Sequence, residues 1–185
     1  MSAASPDKQR FCMTRGNARE LAVHLIYGRN FTGEEPEQVV STRLDKEYYP
    51  QLGSENDIYL DRPSSSQLRY IDTVVAGVVN REEELNAQIQ KFSIGWDVSR
   101  ISRLTRSIMQ LAIYEILFVK DVPTGVAISE AVRLSKKYDS DETGSFVNGI
   151  LGSFARSLDN PTPQEVPVQE LSEEASAEEP AAEEL

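Results

Sequence analysis

The stretch 121–151, DVPTGVAISEAVRLSKKYDSDETGSFVNGIL, constrains the fold most, because all its local signals predict the same structure. Pro123 and Thr124 set a helix start, and apolar residues then recur at helical steps along one face: Val126, Ile128, Ala131, Val132 and Leu134. Lys136 and Lys137 close the last turn, where the helix dipole favours cations. A polar turn at 139–141 then offers capping oxygens to a second helix, whose predicted buried residues are Phe146, Val147, Ile150, Leu151 and Phe154. The stretch therefore predicts a helical hairpin.

The first half of the chain also carries helical patterns. The first pattern begins at Asn17, has Gly28 as its expected stop and places these apolar residues on one face: Ala18, Leu21, Ala22, Leu25 and Ile26. A second helix is expected over 34–49, with an acidic first turn and Pro50 beyond it. The mixture of Gly, Ser, Asn, Asp and Pro over 51–63 predicts a loop, with room for a turn of helix in it.

A capping box formed by Ser64 and Gln67 opens a long helical pattern that is expected to run to about Phe92. The β-branched residues at 74–79 would also suit a strand, but the length of the pattern and the charged run that follows favour a helix. Gly77 costs about 1 kcal/mol relative to alanine inside a helix. Its presence therefore predicts a close approach to another helix.

A further helix is expected from Trp96, after the break at Gly95. Arg100, Arg103 and Arg106 fall on its polar stripe, which is either a solvated face or a contact surface for a protein or a phosphate backbone. Glu115 lies among apolar residues, where a carboxylate requires a partner if it is buried. All these elements are helical, so the predicted fold class is all-α.

No constellation of residues indicates catalysis or cofactor binding. The single cysteine, Cys12, excludes an internal disulfide and is expected to be an ordinary thiol, with a nucleophilic role as the less favoured alternative. His24, the only histidine, is expected to be a packed or surface residue. The acidic residues at 139–142 lack the alternating pattern of a calcium loop. The chain is therefore expected not to be an enzyme and to hold no metal or cofactor.

The net charge of −11 is unevenly distributed along the 185 residues. Residues 161–185 hold eight Glu and no Lys or Arg, and removing these eight from the 30 acidic residues leaves 22 against 19 basic ones. The segment 159–185 is expected to be a disordered acidic tail, with either no specific role or a competition with nucleic acid for basic patches. Residues 1–14 are expected to be a disordered arm. No apolar run suits a signal peptide or a membrane span, so the expected location is the cytoplasm, with no membrane partner.

Several of these motifs together resemble the NusB family of bacterial transcription antitermination factors. The string VPTGVAISEAVRLSKKY, a short acidic turn and SFVNGIL are similar to the C-terminal signature of that family. The run that ends in AIYEIL, the VAGV at 75–78 and the Ala18-Arg19-Glu20 triplet follow the same order. The resemblance covers roughly residues 15–155. It implies a helical domain over 15–158, built from two halves like three-helix bundles that meet near residue 95.

The resemblance also implies partners and binding residues. Family members pair with NusE, a small-subunit ribosomal protein, and recognise boxA RNA within the antitermination complex of RNA polymerase during rRNA transcription. Carried over by position, the implied RNA-binding residues are Arg15, Arg19, Glu142, Ser145, Phe146 and Asn148. The arginines at 100, 103 and 106 are the implied partner-binding residues. Gly16, Asn17 and Ser145 stand where family members usually carry cations, which predicts weaker electrostatic binding of RNA.

Two alternatives to this function remain at the sequence level. NusB-like domains also serve as accessory RNA-binding modules of RNA cytosine methyltransferases, although the tail here cannot hold a cofactor-binding sheet. The other alternative is a structural protein that forms a homodimer through the surface that NusE would occupy.

Overall fold

The computed structural model describes residues 13–54, 56–95 and 97–159, and all regular structure within them is helical. The seven α-helices are α1 (Arg15–Thr32), α2 (Pro36–Arg43), α3 (Ser65–Asn80), α4 (Glu82–Phe92), α5 (Arg103–Phe118), α6 (Thr124–Tyr138) and α7 (Asp141–Asp159). Short 3-10 turns occupy Tyr49–Ser54, Asp57–Tyr59 and Val98–Arg100. The all-α prediction is confirmed. The acidic tail from residue 160, most of the N-terminal arm and Trp96 lie outside the described residues.

Helix α1 begins and ends differently from its prediction. Met13, which falls within the arm expected to be disordered, is only 2% exposed, and the Thr14 hydroxyl accepts the Asn17 amide at 3.0 Å as the helix cap. The helix continues past Gly28, the predicted stop, and ends at Thr32, with Gly33 as its C-terminal cap. Gly33 has a φ of 67°, and its N–H donates to the Arg29 carbonyl at 2.9 Å. The left-handed conformation of this C-terminal cap explains why glycine stands there.

The second predicted helix is shorter than expected, because α2 ends at Arg43 rather than near Tyr49. Just beyond it, the Asp45 carboxylate accepts the amides of Glu47 at 2.8 Å and Tyr48 at 3.0 Å. An aspartate that bonds the backbone ahead of it offers those amides an alternative to the helix. The chain then turns through the two 3-10 segments, so this region holds more helical structure than the single turn allowed for in the predicted loop.

The long helix predicted over 64–92 is two helices. Its start is confirmed, since Ser64 and Gln67 form the capping box. The helix is interrupted at Arg81, whose φ of −120° is not helical. The three glutamates at 82–84 then occupy the first turn of α4. Carboxylates are stabilised at a helix N-terminus, so this charge run suits a new start better than a helix interior.

Helix α5 packs against α1, α3 and α4 and also against α6 and α7. It therefore contacts helices from both predicted halves. The prediction of a single helix from Trp96 is wrong, because α5 begins only at Arg103, after Ser102 accepts the Thr105 amide at 3.1 Å. Arg100 belongs to a separate turn and does not share a helix with Arg103.

Two further packing predictions concern α3 and the C-terminal hairpin. Gly77 lies against α5, since a Cβ placed there would sit 2.1 Å from the Tyr114 ring, and this confirms the expected close approach. The hairpin of α6 and α7 is also confirmed. The buried face of α6 differs in detail: Ala127 is buried whereas Val126 is 43% exposed, because Ala127, Ala131 and Leu134 share the inward face. On α7, Phe146 is half-buried.

Candidate RNA and partner interface

A groove of about 400 Å³ lies between the start of α7 and the turn that leads into α5. Its lining residues are Arg100, Ile101, Ser102, Thr105, Asp139, Glu142, Thr143 and Phe146. The groove brings together one residue predicted to bind a protein partner, Arg100, and two predicted to bind RNA, Glu142 and Phe146. Arg100 is more than 40 positions away from the other two in the chain.

The start of α7 is held in place by contacts with the end of α6. The Ser140 hydroxyl accepts the Thr143 amide at 3.1 Å, and Lys136 pairs with Asp141 at 3.0 Å. Gly144 packs so closely on Lys136 that a Cβ would meet its Cγ at 2.5 Å. This packing directs Glu142 and the half-buried Phe146 ring into the groove.

The remaining predicted residues on α7 do not line the groove. Ser145 and Asn148 are exposed on the same helix, and the Ser145 hydroxyl donates to the Asp141 carbonyl at 3.0 Å. Both present polar side chains to solvent, next to the groove. Their predicted contacts with RNA therefore stay predictions.

The three predicted partner-binding arginines have different surroundings. Arg100 is exposed at the groove, and Arg106 is half-buried on α5. Arg103 is exposed, its Nη1 donates to the Asn30 carbonyl at 3.5 Å, and its guanidinium lies 5.1 Å from the centroid of the Phe31 ring. Arg103 thus connects α5 to the end of α1.

An aromatic patch on α1 was not predicted from the sequence. Tyr27 and Phe31 pack edge to face with their centroids 5.1 Å apart, and Phe31 is 62% exposed beneath Arg103. An arginine over an exposed ring is a surface that can receive a base or a partner side chain. The signal that could have found the patch is the spacing of four between two aromatic residues, one turn of helix apart.

At the start of α1, the two predicted RNA-binding arginines differ in burial. Arg15 is exposed, whereas Arg19 is only 4% exposed. Arg19 donates from Nε at 2.8 Å and from Nη2 at 2.9 Å to the fully buried Glu115 carboxylate, which also accepts the Tyr70 hydroxyl at 2.8 Å. Arg19 is thus the partner that the sequence required for Glu115. Its guanidinium holds α1 to α5, and a direct contact with phosphate would compete with this buried pair.

The electrostatics of this buried pair are strong. Burial alone would lower the pKa of Arg19, but the hydrogen bonds and negative charge of Glu115 outweigh it and raise that pKa. The pKa of Tyr70 is raised as well, first by burial and then by the charge of Glu115. Both groups therefore keep the protonation states that the hydrogen bonds need.

A second polar network ties α1 to α6. Glu20, 2% exposed, accepts hydrogen bonds from Lys137 at 2.6 Å and from the Tyr138 hydroxyl. The Tyr138 hydroxyl uses its only hydrogen for the bond to Glu20, so it accepts a hydrogen bond from His24 Nε2 at 2.8 Å. His24 Nδ1 then accepts a hydrogen bond from the Tyr59 hydroxyl at 3.1 Å. Burial lowers the pKa of His24, with a further contribution from Lys137. Burial would raise the pKa of Glu20, but the Lys137 and Tyr138 bonds lower it.

Other classes of site are absent from the described parts of the chain. No group of three or more His, Cys, Asp and Glu side chains there is placed to hold a metal ion. None of the described helices is long and apolar enough to cross a membrane. The groove and the surfaces beside it are therefore the candidate interface.

Three known proteins similar in sequence are transcription antitermination proteins named NusB. A transcription antitermination protein NusB from Acetivibrio thermocellus is 41% identical over 144 residues, which cover 78% of this chain and 90% of that protein. The NusB from Symbiobacterium thermophilum is 34% identical over 146 residues, covering 79% of this chain and 92% of that protein. The NusB from Agathobacter rectalis is 36% identical over 143 residues, with 77% of this chain and all of that protein covered.

Solved structures of NusB proteins share the fold of this chain. A NusB structure from T. maritima matches with a TM-score of 0.65 and 26% identity, covering 79% of this chain and 93% of that chain. A NusB solved with NusE and double-stranded RNA shares the fold, with a TM-score of 0.60, 24% identity and coverage of 77% of this chain and 96% of that chain.

The NusB family model matches residues 16–156. NusB proteins are transcription antitermination factors and not enzymes. The chain belongs to the NusB family.

Proposed function

We propose that this chain is a cytoplasmic transcription antitermination factor that pairs with NusE and binds boxA RNA within the antitermination complex of RNA polymerase. The observation that carries the proposal is the groove, which places Arg100 beside Glu142 and Phe146. A protein surface and an RNA surface that meet in one groove suit joint binding of a partner and RNA. The related NusB solved together with NusE and double-stranded RNA supports both partners.

Each of the predicted RNA-binding residues has a distinct task in this function. The Phe146 ring offers a stacking face at the groove, and base stacking on an aromatic side chain contributes about 1–3 kcal/mol. Ser145 and Asn148 supply polar groups beside it, and Glu142 can accept hydrogen bonds from base amino groups. Arg15 supplies a cation for phosphate. Arg19 contributes indirectly, because its pair with Glu115 positions the start of α1.

For NusE, the proposal uses the edge formed by Arg100, Arg103 and Arg106. Exposed arginines at an interface form bidentate hydrogen bonds with carboxylates and pack on aromatic rings. Arg103 already lies over Phe31, so a partner that docks there would meet a cation and an apolar ring together. This edge lies next to the groove through Arg100.

Calorimetric titration of NusE into the full chain tests this function. We expect a one-to-one complex with the wild-type chain and a clear loss of affinity when Arg100, Arg103 and Arg106 are all changed to Gln. Arg156→Gln, which removes an exposed arginine from the far end of α7, is the matched control and should bind as the wild type does. A wild-type chain that fails to bind NusE, or that only forms a homodimer, would contradict the proposal.

A further inference from the structure

A second groove, of about 520 Å³, lies between the start of α1, one face of α3 and the segment after α5. Its polar lining includes Arg15 from α1, Ser66, Gln67, Arg69 and Thr73 from α3, and Asp121 from beyond α5. The groove is separate from the one at α7, with which it shares no lining residue. Only Arg15 among these residues was predicted to bind RNA.

The two arginines of this groove are available for a ligand. Both are exposed, and neither forms an ion pair with a carboxylate in the described part of the chain. By contrast, Arg29, Arg81 and Arg133 each pair with a glutamate. An exposed cation without a protein counter-ion loses little when it binds a phosphate, because no existing pair has to be broken.

A residue of α3 ties down the start of α1 at this groove. The Gln67 side-chain amide donates to the Met13 carbonyl, while its oxygen accepts the Ser64 amide at 2.8 Å. The capping residue of α3 therefore anchors the chain just before α1.

We infer that this groove binds the phosphodiester backbone of the same single-stranded RNA, with Arg15 and Arg69 as the phosphate contacts. The inference rests on the proposed function and adds Arg69, which lies on a different helix from Arg15. Arg15 and Arg69 line one groove, so a backbone that meets Arg15 at the start of α1 continues along α3. Contacts to phosphate orient a nucleic acid without reading its sequence. Arg69 therefore acts on affinity, equally for every RNA sequence.

The Asp121 carboxylate lines the same groove and can distinguish a bound phosphate from a bound cation. A negative charge beside a bound phosphate weakens binding. Removing that charge should strengthen RNA binding if phosphate lies there. If the groove instead bound a cationic segment of a partner protein, the same change would weaken binding.

The test titrates the full chain, saturated with NusE, against a boxA-type RNA and a scrambled RNA of equal length at two salt concentrations. Each phosphate contact contributes about 0.7 to the salt slope of single-strand binding, so Arg69→Gln should lower the slope by about 0.7. The same exponent predicts a loss of about fivefold at about 0.1 M salt, equal for both RNAs. Asp121→Asn should tighten binding of both, and Arg156→Gln should change neither. Thermal melts of each variant check that the fold is retained.

Four results would overturn the inference that this groove binds the RNA backbone. Wild-type complexes that bind RNA, with Arg69→Gln indistinguishable from Arg156→Gln, overturn this inference and leave the proposed function intact. A loss confined to the boxA RNA overturns it as well, because it would show base reading. A loss of NusE affinity with unchanged RNA affinity would assign the groove to a protein partner instead. A wild-type complex without RNA affinity refutes the proposed function and this inference together.

Discussion

Replacing glycine by alanine should destabilise the protein at Gly77, which is in close contact with Tyr114, and stabilise it at Gly28. In Gly77→Ala, the new Cβ would lie 2.1 Å from Cζ and 2.2 Å from the hydroxyl oxygen of Tyr114. The ring cannot easily move, because Tyr114 is 8% exposed and packs on Phe118 with centroids 5.0 Å apart. Overpacking of this kind costs about 1–3 kcal/mol, and the helix propensity of alanine returns up to about 1 kcal/mol. The net expectation is a loss of about 1–2 kcal/mol.

Gly28→Ala is the matched control, since Gly28 lies inside α1 and a Cβ added there would meet nothing within 4 Å. It should stabilise the protein by about 0.5–1 kcal/mol through helix propensity alone. Urea unfolding followed by circular dichroism measures both changes, and thermal melts should place Gly77→Ala about 2–8 °C below the wild type. A Gly77→Ala variant as stable as Gly28→Ala would refute the close packing of α3 on α5.

Three further predictions concern the polar networks and Phe146. Glu115→Gln should cost about 3 kcal/mol in urea unfolding, because it leaves the buried Arg19 with only its longer ion pair, to Glu130 at 3.5 Å. Replacing both Arg19 and Glu115 by apolar residues should recover much of that loss. Stability should fall as the pH drops below the ordinary pKa of histidine, 6.5, and should fall further below that of glutamate, 4.5. The reason is that folding lowers the pKa values of His24 and Glu20, so the unfolded chain binds those protons first. His24→Gln should flatten the upper part of this pH profile, and an unchanged profile would contradict the assignment. Phe146→Leu should keep most of the stability that Phe146→Ala loses, yet both should weaken RNA binding by about 1–3 kcal/mol; a leucine variant that binds RNA normally would exclude stacking.

The parts of the fold that were predicted from the sequence depend on neighbours a few positions apart. The capping box at Ser64 and the hairpin of α6 and α7 are of this kind, because their signals lie within one or two helical turns. The break at Arg81 was missed because the glutamates that follow it continue a helical pattern equally well. Likewise, Gly28 and Gly33 are both suitable stops in sequence, and only the conformation of the chain shows that Gly33 is left-handed.

The candidate site was less predictable, because its residues meet through tertiary packing. The sequence indicated that Glu115 needs a partner, but Arg19 is 96 positions away and was expected to face RNA. The groove depends on the end of α6 holding the start of α7 beside the turn at Arg100, and no local pattern encodes that approach. Exposure also had to come from the packed structure, as the contrast between Arg15 and Arg19 illustrates.

The most direct test of joint RNA and partner binding is a titration of boxA-type RNA with the chain alone and with NusE, at two salt concentrations. We expect the isolated chain to bind at micromolar concentration or more weakly and with a shallow salt slope, since Gly16 and Asn17 supply no charge to the basic N-terminal segment. Addition of NusE should increase both the affinity and the slope. Tight, steeply salt-dependent binding by the chain alone, or no binding with NusE present, would contradict the proposed joint recognition.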